Sequence, residues 1–120
     1  MLTDEQIARL LDIANAGCHK GAVLEARAVY DGVLAVKPGH VPALIGRALS
    51  CVVVGEYDKG EEQLRAVLDA NPDDGDAMAA LGLCLTLAGK TDEAGSILEK
   101  ASASEGPAAD LAKKLLEQAG

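Results

Sequence analysis

Three cysteines and two histidines are the residues of this chain that could bind a metal or take part in thiol chemistry. Cys18, Cys51 and Cys84 recur at a constant interval, and His19 directly follows the first of them. Adjacent helical residues point about 100° apart. Since no second Cys or His lies at a ligand spacing from Cys18 and His19, a metal site completed by His40 is not favoured. Free cysteine is a commonly buried residue type, and an odd count without a Cys-x-x-Cys pair does not indicate a disulfide framework. We interpret the cysteines as small core residues, and we predict no metal and no cofactor.

Four acidic residues lie close together along the chain, at Asp69, Asp73, Asp74 and Asp76. They lack the Gly and the terminal Glu of a calcium-binding loop. Acids are favoured at helix N-termini, where they cap free N–H groups and complement the helix dipole. We therefore predict that this cluster caps a helix. The sequence also has no nucleophile motif and no phosphate-binding glycine loop, so we predict that the chain is not an enzyme.

The elements that position these residues repeat along the chain at a fixed period. Pro38 and Pro72 are separated by one period. The period is about 34 residues, which is the length of one helix-turn-helix unit of a repeat protein. The same spacing relates the members of two further sets, Gly21, Gly55 and Gly89, and the small residues Ala26, Gly60 and Ala94.

Apolar periodicity and the glycine and proline breaks predict seven helices and an all-α chain. Thr3 and Gln6 form a capping box in front of the first periodic segment. Pro38 ends the second helix, because the residue before a proline is pushed away from helical backbone angles. Gly55 and Gly89 fall where a helix C-terminus needs a left-handed residue. The predicted helices cover residues 4–17, 22–36, 41–54, 58–70, 76–88, 92–103 and 108–119.

The repeated positions resemble the tetratricopeptide repeat pattern. The third copy matches it with Met78, Leu81, Gly82, Leu85, Ala94, Leu98, Ala101 and a late Pro107, and the middle copy with Leu44, Ala48, Cys51, Gly60, Leu64, Val67 and Pro72. Two copies lack the Leu-Gly pair, and almost every aromatic is missing. Tyr30 and Tyr57 fit the family's core and turn positions, so we interpret them as packing residues. The resemblance implies one domain, a right-handed α-solenoid of three units at residues 7–40, 41–74 and 75–106 with a capping helix at 107–119.

The composition limits the classes of partner. The chain is 49% hydrophobic and 2% aromatic, with no Trp or Phe and a net charge of −8. An acidic protein does not bind nucleic acid or an anionic membrane by charge, so neither is expected as a partner. No stretch reaches the about 20 apolar residues of a membrane span, and the N-terminus does not resemble a signal peptide. We therefore predict a cytoplasmic protein that does not insert into membranes.

The resemblance implies a concave groove lined by the first helix of each unit. Residues 41–54 are apolar nearly all round, which is typical of a helix buried on every side. An exposed apolar patch in an open solenoid indicates an interaction site. Two arrangements stay open: a partner covers this helix, or the chain does so itself through its end helix or a narrow groove. The residues that the resemblance places in a partner-binding groove are Leu11, Asn15, Ile45, Leu49, Val52, Val53, Leu83 and Leu87.

The inner positions also indicate which ligand fits. Members that hold the acidic tail of heat-shock chaperones use a clamp of Lys, Asn and Arg, whose cations pair with carboxylates. The corresponding positions here are Leu11, Asn15, Gly46, Asp76 and Ala80. Only Asn15 fits the clamp, so we predict an apolar or amphipathic protein segment as the ligand instead.

A small acidic array with an apolar groove is similar to the tetratricopeptide chaperones of bacterial type III secretion, which hold hydrophobic segments of secreted or export subunits before export. This resemblance implies a bacterial chaperone or assembly factor. The alternative is a general scaffold or adaptor of another complex. Self-association in the absence of a partner also stays open.

Overall fold

The structure is a computed structural model that describes residues 3–5, 22–104 and 106–119. These residues form helices joined by short turns, which confirms the prediction of an all-α chain. Most of the predicted first helix lies outside the described residues, together with Leu11, Asn15 and Cys18. The described helices are α1 (Val23–Val36), α2 (Val41–Val53), α3 (Tyr57–Ala70), α4 (Gly75–Leu87), α5 (Thr91–Ser102) and α6 (Pro107–Ala119).

The ends of these helices follow from local chemistry, and the predicted ends of α1 to α6 differ from the structure by at most one position. The Asp74 carboxylate accepts a hydrogen bond from the Ala77 N–H at 2.9 Å, so α4 begins at Gly75 rather than at Asp76. α6 begins at Pro107, because a proline at the first helical position gives up only an N–H that has no partner in the helix. Gly55 has φ 83° and Gly89 φ 82°, so each provides the left-handed residue that ends the preceding helix.

The helices pack in two layers of unequal spacing. Each helix contacts the next, and α2 contacts α4 while α4 contacts α6. Among the described helices, α1, α3 and α5 make no such contacts with one another. The helices α2, α4 and α6 therefore form the more tightly packed layer, which lies on the inner side of the curved array. The helices α1, α3 and α5 form the outer layer. The molecule measures 44 × 26 × 22 Å, so the array is elongated.

The core is built from small and aliphatic side chains and continues from one helix pair to the next. Its largest cluster joins α2, α3, α4 and α5. The helices approach closely where one of them has a glycine. A Cβ atom at Gly60 would lie 2.9 Å from Val52 Cγ2, and one at Gly82 would overlap Leu98. The buried small residues Ala26, Gly60 and Ala94 repeat this device along the outer layer.

The end helix α6 covers the last pair and not the middle of the array. Ala112 packs with Leu98 and Ala101, and Leu115 and Leu116 lie against the same cluster. α6 contacts α4 and α5, and it has no contact with α2. The arrangement in which the end helix folds back over α2 is therefore excluded.

Candidate functional site

Two rows of apolar side chains run along the inner layer. Leu49 of α2 and Leu83 of α4 occupy equivalent positions of successive units, and both are half-buried. Val53 and Leu87 are equivalent in the same way and are 53% and 51% exposed. Because α2 and α4 contact each other directly, the two rows lie side by side. Exposed apolar side chains at repeat-related positions that no other described element covers mark a candidate interaction surface.

The two rows line an open cavity of about 570 Å³, which we call the groove. Ligand-binding clefts typically have volumes of several hundred cubic ångströms and predominantly apolar walls. The groove has the size to hold a few side chains of a protein segment. Its lining residues are Tyr30, Pro42, Ile45, Gly46, Leu49, Val52, Val53, Tyr57, Asp76, Leu83 and Leu87.

The structure brings together every described residue that the sequence assigned to partner binding: Ile45, Leu49, Val52, Val53, Leu83 and Leu87. The assigned Leu11 and Asn15 lie outside the described residues. Their role in binding a partner stays a prediction for all eight.

Two of these residues are less exposed to solvent than the sequence suggested. Ile45 is 9% exposed and Val52 is 5% exposed, and both belong to the main core cluster with Ala48. They form the floor of the groove, whereas Val53 and Leu87 form its exposed wall. The sequence could not separate floor from wall, because α2 is apolar on nearly every side and its periodicity gives no direction.

Five lining residues were not assigned to binding from the sequence, namely Tyr30, Pro42, Gly46, Tyr57 and Asp76. The Tyr30 ring is 1% exposed and packs over Gly46, where a Cβ atom would overlap the ring. Its interpretation as a packing residue is therefore right, although it also forms part of the groove floor. Tyr57, at the start of α3, is half-buried and lines the groove. The available signal was a glycine inside an apolar helix, which marks a place where another group comes close.

Asp76 is the one charged residue among the described residues that line the groove. It is exposed, and no Lys, Arg or His in the described part of the chain lies within ion-pair distance of it. The neighbouring Asp74 accepts the capping bond from Ala77 N–H, so the prediction of capping is confirmed for that member of the acidic cluster. The Asp76 carboxylate is therefore exposed to solvent, with no ion pair to another described residue.

The two cysteines in the described part of the chain, Cys51 and Cys84, are core residues. Cys51 is 4% exposed and Cys84 is fully buried, which confirms the interpretation for these two residues. The Cys84 thiol donates a hydrogen bond of 3.3 Å to the Tyr57 carbonyl oxygen. Burial raises the pKa of the Cys84 thiol above its ordinary value, and this keeps the group protonated and unreactive.

None of the described helices is both long and apolar enough to cross a membrane. The tetratricopeptide repeat profile matches residues 45–110, which is more than half of the chain. The chain belongs to the tetratricopeptide repeat family. This fold is a scaffold for protein–protein interaction, so the chain is a protein-interaction module. No curated protein matches it in sequence.

Solved structures with this fold superpose over nearly the whole chain. The TPR domain of Sgt2 from Aspergillus fumigatus gives a TM-score of 0.79 at 23% identity, covering 98% of this chain and 78% of its own. The type III secretion translocator chaperone SycD from Yersinia enterocolitica gives 0.77 at 17% identity, covering 98% and 93%. The first TPR of Spaghetti (RPAP3), bound to the HSP90 peptide SRMEEVD, gives 0.75 at 16% identity with the same coverage, 98% and 93%. These similarities establish the fold.

Proposed function

We propose that the chain holds an apolar or amphipathic segment of a partner protein in the groove and acts as a chaperone or assembly factor of the bacterial type III secretion kind. The observation that supports this proposal is the pair of apolar rows on α2 and α4, which the end helix does not cover. In this role the protein works in the cytoplasm, before its partner is exported.

The exposed wall of the groove supplies the binding energy. Val53 and Leu87 are half exposed, and a partner side chain that covers them removes apolar surface from water. Complete burial of one such side chain contributes about 1.5–3 kcal/mol. Leu49 and Leu83 extend the same surface toward the middle of the helices. A segment with two or three apolar side chains in register with these rows would bind without any charged anchor.

The secretion assignment rests on the small size, the acidity and the apolar groove, and it agrees with the superposition on SycD, a translocator chaperone. An acidic peptide is a poor fit. The peptide bound to Spaghetti, SRMEEVD, has three carboxylate side chains. Here the described lining has no cation and one acid, Asp76, so such a peptide would be repelled.

The test is affinity capture with mass spectrometry from the organism that encodes the chain, using the wild type and the variant with Val53→Asp and Leu87→Asp. Both changes lie at exposed positions, so the fold should persist. Placing carboxylates in the groove should reduce binding of an apolar segment at least about tenfold. Val54→Asp is the matched control, since Val54 is 50% exposed at the end of the same helix but does not line the groove.

We expect that a secreted or export-apparatus subunit is recovered with the wild type and with Val54→Asp. The same subunit should be lost with the double variant. A large cytosolic assembly that shows the same dependence would identify a scaffold instead. Recovery of the chain alone would indicate self-association through the groove. Equal recovery with all three proteins would show that the groove is not the binding surface.

A further inference from the structure

The groove has a charged side chain beside its apolar surface, and both bear on which ligand it binds. Asp76 lies at the start of α4 and lines the same cavity as Leu83 and Leu87. It is exposed, and no cation of the described residues pairs with it. A carboxylate beside apolar walls is less well solvated than one on an open surface once a ligand covers those walls. Ligand binding therefore favours a group that neutralises it.

The cap of α4 does not need an acid at this position. Asp74 already caps the helix through the Ala77 N–H. In the preceding unit, the equivalent residue is Pro42, which also lines the groove and begins its helix without a charge. The first turn of an inner helix therefore does not require an acid here, although the helix dipole favours one.

We propose that the groove prefers a partner segment that places a lysine or arginine beside its apolar residues, so that the cation pairs with Asp76 while the apolar side chains lie on Leu49, Val53, Leu83 and Leu87. This inference rests on the proposed function, because it specifies the partner of the same groove. The net charge of −8 adds to it by attracting a basic segment and repelling an acidic one over a longer range. Tyr57 in the lining offers an aromatic surface on which a cation can also pack.

The same charges argue against a second copy of the chain as the preferred occupant. Two molecules with a net charge of −8 repel each other, and salt weakens that repulsion. A basic apolar segment gains from the charge of the chain, whereas a second copy must overcome it. Sedimentation of the purified chain should therefore show a monomer without added salt, and a dimer under that condition would contradict this argument.

The experiment is a selection of short displayed peptides whose random positions contain Leu, Val, Ala, Ser, Lys and Glu in equal amounts. The full chain, Leu49→Asp, Asp76→Asn and Asp73→Asn are immobilised in parallel, after circular dichroism has shown equal helicity. Asp73 is the matched control, because it is an exposed acid of the adjacent turn that does not line the groove. Affinities are then measured for one selected peptide and for its Lys→Glu counterpart.

We expect the wild type to enrich peptides that combine Leu or Val with Lys, and to deplete those with Glu. Asp76→Asn should weaken binding of the selected lysine peptide about two- to fivefold, as for a partly exposed ion pair, and reduce the enrichment of Lys to what the net charge alone produces. Asp73→Asn should leave both unchanged. The advantage of Lys over Glu should also decrease as salt is raised.

Three results would overturn the inference. If apolar peptides are enriched relative to Leu49→Asp but show no preference for Lys, the groove binds apolar segments and Asp76 does not select among them. If Asp73→Asn lowers the Lys preference as much as Asp76→Asn, the net charge and not the groove acid is responsible. If no peptide is enriched relative to Leu49→Asp, or if only self-association is seen, the proposed function fails together with the inference.

Discussion

Glycines inside the helices fall into two groups at the scale of single residues. At Gly46 and Gly82 a Cβ atom would overlap a side chain of the neighbouring helix, so these glycines permit close packing. At Gly32 and Gly95 a Cβ atom would meet no atom within 4 Å. Gly32 and Gly95 have helical backbone angles, so no special conformation requires a glycine there. Each destabilises its helix through the conformational freedom that glycine loses on folding.

Gly32→Ala should therefore stabilise the protein. The substitution restricts the unfolded chain and places a methyl group in open space on α1, so the free energy of unfolding should rise by about 0.5–1 kcal/mol. Urea denaturation followed by far-ultraviolet circular dichroism measures the change. Gly95→Ala serves as the second, independent case and should behave in the same way. If the free energy of unfolding is unchanged or lower in both variants, these two glycines do not merely add a conformational cost to their helices.

At the scale of helices, ion pairs link each outer helix to the turn before the next outer helix. Arg27 of α1 pairs with Glu56 at 2.7 Å, and Glu61 of α3 pairs with Lys90 at 2.8 Å. The two pairs occupy equivalent positions of successive units with their signs reversed. Lys90 is the residue before α5, where the helix dipole disfavours a cation. Its pairing with Glu61 compensates for that cost and ties the second pair of helices to the third.

Glu61 should make the stability depend on pH. Hydrogen bonds from Lys90 and then from Arg65 hold the pKa of its carboxyl below the ordinary value of 4.5. The unfolded chain therefore takes up the proton first as pH falls, so the stabilisation is present above pH 4.5 and is lost as pH drops through the lower folded pKa. Glu61→Gln should lower the free energy of unfolding by about 0.5–1 kcal/mol near neutral pH, because the side chain is partly screened by water.

Urea denaturation across the acidic range tests this expectation, and the difference between wild type and Glu61→Gln should shrink below pH 4.5. Glu99→Gln is the matched control, since Glu99 is exposed and its carboxylate has no ion pair in the part of the chain that the structure describes. A constant difference at every pH would show that the loss in Glu61→Gln is not electrostatic.

At the scale of the whole molecule, the sequence predicted the order of the helices better than it predicted how they face each other. Helix ends depend on local signals such as Gly55, Gly89 and Pro107, so they are readable from neighbouring residues. The burial of Ile45 and Val52 depends on α3 and α4, which pack against a helix that is apolar on nearly every side. A contact between different helices has no local signature, and this is why the floor of the groove was not separated from its wall. The residue-level role of the groove and the repeat boundaries at 7–40, 41–74 and 75–106 stay predictions.

At successive interfaces of the array, equivalent positions hold side chains of different sizes. Tyr30 packs over Gly46 between α1 and α2. The equivalent residues one unit later, Leu64 and Ala80, lie together in the main core cluster. The two equivalent positions thus hold Tyr and Gly in one unit and Leu and Ala in the next. A residue with a Cβ atom at position 46, such as the alanine of the next unit, would overlap the Tyr30 ring. This size complementarity should make the first interface specific for the pair of Tyr30 and Gly46.

Exchanging the sizes at the first interface for those at the second tests this complementarity. Tyr30→Leu alone should cost about 2–4 kcal/mol, because it leaves a void beside Gly46. Gly46→Ala alone should cost about 1–3 kcal/mol, because the new methyl group overlaps the Tyr30 ring. In the double variant the methyl group enters the space that the ring leaves. Its destabilisation, measured by urea denaturation, should therefore be smaller than the sum of the single changes by at least about 1 kcal/mol.

Tyr30→Leu combined with Gly82→Ala is the control, since Gly82 packs against Leu98 and the two effects should simply add. Additive effects in the Tyr30→Leu, Gly46→Ala pair would mean that the two residues are not packed as a complementary pair.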